Sequence, residues 1–87
     1  MATYSYLMNN KWIDINVKNI NEARAKILAK YGKDLKKNRN YEIWFTRNDI
    51  MIGSIWYNSR LHRFEWGDDK VAYGSVNEST GRLTYDD

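Results

Sequence analysis

Residues 41–57, YEIWFTRNDIMIGSIWY, decide the fold class. β-Branched and aromatic residues crowd both sides of Arg47-Asn48-Asp49, the composition of a β-hairpin folded about a polar turn. Strand side chains alternate between faces, so a three-residue loop at Arg47–Asp49 sets Thr46 opposite Ile50. Tyr41, Ile43, Phe45, Met51 and Ile55 then share one face, and Glu42, Trp44, Thr46, Ile52 and Trp56 share the other. Both faces carry hydrophobes, one more set than a single core needs.

Working outward, strand-like runs continue at Leu61–Trp66, Lys70–Ser75 and Arg82–Tyr85, with turns at Asn58-Ser59, Gly67-Asp68 and Asn77–Gly81. A two-residue loop at Asn58-Ser59 places Tyr57 opposite Arg60 and extends the parity down the meander. The core side gains Tyr57, His62, Phe64, Trp66, Val71, Tyr73, Leu83 and Tyr85, with the Phe64 ring over Gly53. The other side gains Ser54, Leu61, Arg63, Glu65, Lys70 and Ala72. A three-residue loop at Asn58–Arg60 is the competing register, in which Phe64 and Trp66 join the outer tryptophans.

Toward the N-terminus, Tyr4–Met8 and Lys11–Val17 flank Asn9-Asn10, a pair that tolerates the positive φ of a tight hairpin turn. Ile13, Ile15 and Val17 alternate with Trp12, Asp14 and Asn16, which leaves Trp12 on the polar side. Asn19 and Glu22 have capping-box spacing, and a helix over 20–31 follows, ended by Gly32. At about 100° per residue, Ile20, Ile27, Leu28 and Tyr31 form its apolar stripe, with Arg24 in the middle, a side chain expected to snorkel or to find a carboxylate. The sum is an α+β fold in a single domain over 1–87: an N-terminal β-hairpin and one amphipathic helix packed on an antiparallel meander of four to five strands over 41–85.

Composition narrows the function classes. With 43% hydrophobic and 15% aromatic residues in 87, the chain is globular and near the length at which every large apolar side chain is needed inside. The absence of cysteine excludes disulfides and thiolate chemistry. The N-terminus lacks a secretion signal and no apolar run approaches the ~20 residues of a membrane span, so a cytoplasmic location with no membrane contact is expected. Asn77-Glu78-Ser79 is accordingly turn chemistry, not a glycosylation acceptor. The net charge is +3; ten Lys/Arg face five Asp/Glu through Ile50, against four and six afterwards, so the molecule is electrically polar.

No catalytic residue, metal-ligand set or cofactor motif is present. His62, the only histidine, falls on the core side as a structural residue, and Asp68-Asp69 and Asp86-Asp87 diverge on extended chain. Binding is better supported. Trp44, Ile52, Trp56 and Arg63 supply the aromatic and arginine anchors of a protein interface, while Lys33, Lys36, Lys37 and Arg39 form a basic loop for electrostatic steering or phosphate contact. The expected partner is a larger protein or nucleoprotein. Self-association, or a single nucleic-acid strand stacked on the sheet aromatics, are the alternatives that this chemistry allows. Coverage of the tryptophans by the N-terminal hairpin would remove the surface.

The chain carries no family motif. Its wealth of Asn, Ile, Lys and Tyr without Cys or Pro resembles, in composition alone, small proteins of AT-rich bacteria and their phages or plasmids. That resemblance implies stoichiometric binding, for example inhibition of a host defence nuclease such as a CRISPR effector.

Overall fold

A computed structural model describes residues 2–86. The chain runs β1 (Tyr4–Met8), β2 (Lys11–Ile15), α1 (Ile20–Lys37), β3 (Ile43–Arg47), β4 (Ile50–Asn58), β5 (Arg63–Asp68), β6 (Val71–Val76) and β7 (Leu83–Tyr85). All seven strands join one antiparallel sheet in the order β2-β1-β3-β4-β5-β6-β7, with α1 packed on one face. The α+β class and the single helix agree with the sequence; the strand count is higher because the N-terminal hairpin belongs to the same sheet. Tyr6 pairs with Phe45 and Tyr4 with Arg47, so the hairpin lengthens the sheet sideways and does not fold over its outer face.

Turn chemistry sets the hairpins. Asn9-Asn10, Asn48-Asp49 and Asp69-Lys70 each place two residues at positive φ, the requirement of a two-residue turn that matches strand twist. Arg47 therefore pairs with Ile50, not Thr46 with Ile50 as the three-residue loop required. A bulge restores the register: Phe45 pairs with Gly53 and Thr46 with Met51, leaving Ile52 as the extra residue. Met51 consequently points to the outer face and Ile52 packs against the core, the reverse of the expected assignment. The bend depends on Gly53, whose φ is +153°, and a Cβ there would lie 2.6 Å from Trp66 Cζ2. Trp66, not Phe64, covers this glycine.

The β4–β5 turn holds four residues, Ser59–His62, and pairs Tyr57 with Phe64. Its parity equals that of the two-residue loop, so Phe64, Trp66 and Tyr57 still face the helix, while Leu61 and His62 stand exposed in the turn. His62, at φ +52°, is a turn residue and not a core histidine. A second bulge between Trp66 and Gly67 leaves Tyr73 unpaired in β6; Val71, Tyr73 and Tyr85 are exposed, and Val76 takes the core position.

Helix α1 starts as the sequence predicts: Asn19 Oδ1 accepts from the Glu22 amide at 2.9 Å, and Glu22 Oε2 accepts from the Lys18 amide. It does not stop at Gly32. Gly32 is buried under Phe64, and the helix runs one and a half turns further so that Leu35 enters the core. The burial of Leu35 outweighs the roughly 1 kcal/mol helix penalty of a glycine. The core beneath α1 joins Ala23, Ile27, Leu28 and Leu35 to Ile43, Phe45, Ile55, Phe64 and Trp66.

Candidate functional site

The face opposite the helix carries three of the four expected anchors. Trp44 is half-buried beside Ser54, Trp56 is 5% exposed, and Arg63 lies at the far side; Ile52 is on the helix side. Trp56 is held inside by its neighbours. Its Nε1 donates to Glu65 Oε1 at 3.0 Å, Asn58 Nδ2 donates to the same oxygen, and Lys70 Nζ sits 5.5 Å over the ring. Arg63 donates to Glu65 Oε2 from Nε at 2.8 Å and to both Asp86 oxygens. Those bonds, Asp86 first and then Glu65, hold its guanidinium above the ordinary arginine value. Glu65 thus spends its carboxylate on Trp56 across the strand pair and on Arg63 two residues away in β5, the two anchors that the sequence alone offers to a partner.

The apolar surface left on this face lies further toward the N-terminal hairpin. Leu7 pairs with Trp12, and one step along the β1–β3 register Leu7 stands beside Trp44. Thr46 brings Met51 next to this row. Trp12, Met51, Thr46 and Asp49 line a depression of about 250 Å³. Trp12 and Met51 are 46% and 49% exposed. The signal for Trp12 was in the alternation of β2; Met51 was hidden by the turn, which holds two residues where three were expected.

The expected basic loop is the C-terminal part of α1. Lys26, Lys30, Lys33 and Lys37 recur at helical spacing and form one exposed ridge. Lys36 turns aside to Glu78 at 3.4 Å and lies over the Phe64 ring. Arg39 follows in the loop, where its carbonyl accepts from Lys70 Nζ. The ridge and the Trp12–Leu7–Trp44 row occupy opposite sides of the sheet.

A third feature is a cleft of about 450 Å³ at the first turn of α1, lined by Arg24, Arg47 and Arg82 with Tyr4, Ile52 and Tyr85. Arg24 is 3% exposed; its Nε donates to Gly81 O at 2.7 Å and its Nη2 to Asn21 Oδ1, with the guanidinium 4.9 Å from the Trp66 ring centre. The expected carboxylate partner is absent among the described residues. Burial pushes this guanidinium below its ordinary value, against a smaller opposing effect of Tyr85. Arg47 and Arg82 gave no signal in sequence because they stand 35 positions and three intervening strands apart.

Among the described residues no group of three or more His, Asp or Glu is placed to hold a metal, and no helix is long and apolar enough to cross a membrane. Of the Asp86-Asp87 pair, Asp86 is the Arg63 partner and Asp87 lies outside the described residues. Comparison with family models, with curated proteins and with solved structures finds no match for the chain.

Proposed function

We propose that the chain is a small non-catalytic binding protein that acts by stoichiometric contact with a larger protein through the sheet face opposite α1. One observation carries this: the N-terminal hairpin joins the sheet edge, so Trp12, Leu7, Trp44 and Met51 form an apolar row with no element of the described residues across it. A chain of this length has few hydrophobes to spare, and leaving a Trp and a Met half-exposed side by side favours aggregation unless the face is covered in use. Aromatic residues and Met are also the types enriched at interface centres.

The lysine ridge on the other side of the molecule supports a nucleoprotein as the partner. Its protein surface would take the apolar row while its phosphates attract the ridge at long range. A single strand stacked on Trp44 could not reach Lys30, Lys33 and Lys37 at the same time, which weighs against the simple nucleic-acid binder. Together with the compositional resemblance, this makes a host defence protein such as a CRISPR effector the partner class to test first.

The experiment titrates purified effectors, with and without guide RNA, by sizing and calorimetry. Wild type should form a one-to-one complex, and Trp12→Ser with Met51→Ser should weaken it by about 100-fold, the loss of two central contacts, with unchanged melting. Equal affinity of the double variant would remove this face from the function. A concentration-dependent dimer abolished by the same variant would assign the face to a second copy of the chain.

A further inference from the structure

The arginine cleft lies apart from the apolar row and is independent of the reading above. Three arginines line it, and the ion pairs formed among the described residues, those of Glu22, Glu78, Glu65 and Asp86, include none of them. Nor, among the described residues, does any carboxylate line the cleft. Burying a cation without an anion is costly, and neutral acceptors return only part of that cost.

Arg24 has five N–H donors, and Gly81 O and Asn21 Oδ1 occupy two. No fully buried side-chain nitrogen among the described residues lacks a partner, so Arg24 Nη1, which neither bond engages, keeps access to solvent, and Arg24 lines the cleft. The guanidinium is held in place. Gly81, at φ +72°, packs so closely on α1 that a Cβ would lie 1.8 Å from Asn21 O, and this contact fixes the loop that carries Arg82. The first turn of α1, at the positive end of an 18-residue helix, adds to the same field.

A single carboxylate needs one guanidinium, whereas three suit the higher charge and the several acceptor oxygens of a phosphate. The cleft's volume also falls within the roughly 300–1,000 Å³ of small-molecule sites, leaving room beside the anion against Ile52, Leu83 and Tyr85. We propose that this cleft binds a small phosphomonoester bearing a ring, such as a nucleoside monophosphate, with Arg24, Arg47 and Arg82 on the phosphate and Tyr85 and Ile52 against the ring.

The test follows the Trp66 indole and the Asn21 and Gly81 amides by nuclear magnetic resonance during titration with AMP, inorganic phosphate or adenosine. AMP should give saturable shifts at these three groups, bind more tightly than phosphate, and leave adenosine far behind. Arg47→Gln and Arg82→Gln, both at exposed positions, should each weaken AMP by about tenfold, the loss of one charged hydrogen-bond donor, with melting unchanged. Arg24→Gln is a poor sole test because it also releases Gly81. Adenosine binding as well as AMP, shifts confined to the Lys30–Lys37 ridge, undiminished affinity in the Arg47→Gln/Arg82→Gln protein, or an oligothymidylate outcompeting AMP would each overturn the proposal.

Discussion

Replacing Glu65 with Gln tests whether the outer face is held together from within. Glu65 is buried at the centre of that face; Oε1 accepts from Trp56 Nε1 and Asn58 Nδ2, and Oε2 accepts from Arg63 Nε, with Nη2 in ion-pair contact at 2.6 Å. A Gln can keep its amide oxygen toward Trp56 and Asn58, which sets its NH2 against two guanidinium donors. One hydrogen bond between charged groups, worth about 1.5–3 kcal/mol where both partners are buried, is lost together with the ion-pair contact of Nη2. Arg63 is half-buried and keeps both Asp86 oxygens, so solvent and Asp86 reduce the loss. The expected cost is about 2–3 kcal/mol, or a melting temperature lower by about 10–20 °C for a domain of this size. Urea unfolding followed by far-ultraviolet circular dichroism measures it, with Arg63→Gln and the double variant completing a cycle whose coupling should exceed about 1 kcal/mol. A Glu65→Gln loss under about 0.5 kcal/mol, or strict additivity in the cycle, would refute the account of Glu65 as the clamp on Trp56 and Arg63.

Other perturbations test the bulge, the helix and the tyrosine pair. Gly53→Ala forces a Cβ to within 2.6 Å of the Trp66 ring at an unfavourable φ, and should cost about 1–3 kcal/mol or more by denaturant titration; a neutral outcome would contradict the bulge geometry. Gly32→Ala should instead stabilise by about 0.5–1 kcal/mol, because the helix continues through it and the new Cβ would sit an ordinary 3.5 Å from Phe64 Cζ. Destabilisation there would mean that the helix ends at Gly32 after all. The buried Tyr6 phenol is pushed up to about 12 from 10.0 by its hydrogen bond with Tyr31 and by burial. Folding favours its protonated form, so its contribution is complete below pH 10 and is lost as the pH rises through about 12. Wild type should lose about 2–3 kcal/mol more than Tyr6→Phe across that window, measured as the difference between their unfolding free energies.

How far the sequence reached is visible residue by residue. Asn9-Asn10 announced the first hairpin, Asn19 and Glu22 announced the helix start, and both stand where local chemistry put them. Trp44 on the face away from the helix followed from alternation alone. Arg24 was conspicuous in an apolar stripe, but its surroundings were not, since Gly81 lies 57 residues away. Gly32 misled because a glycine after an amphipathic run is a good stop signal; what overrode it was Leu35 meeting the core, which depends on the sheet that the helix covers. Ile52 and Met51 exchanged faces because the turn holds two residues and not three, which shifts parity by one until the bulge before Gly53 restores it; a lone glycine inside the strand was the mark of that bulge. Trp56 looked free because its jailer, Glu65, is identifiable only once β4 and β5 are paired.

Period-two alternation, turn asparagines and a capped helix are properties of neighbouring residues, and by itself the sequence determined from them an α+β domain with one helix on an antiparallel sheet. Where the N-terminal hairpin lies, which tryptophan is enclosed, and which arginines share a cleft are relations between residues far apart in the chain. Only the tertiary structure decided these, because sheet order and bulge position follow from the packing of the whole core under α1. The open apolar row and the arginine cleft are both products of that packing.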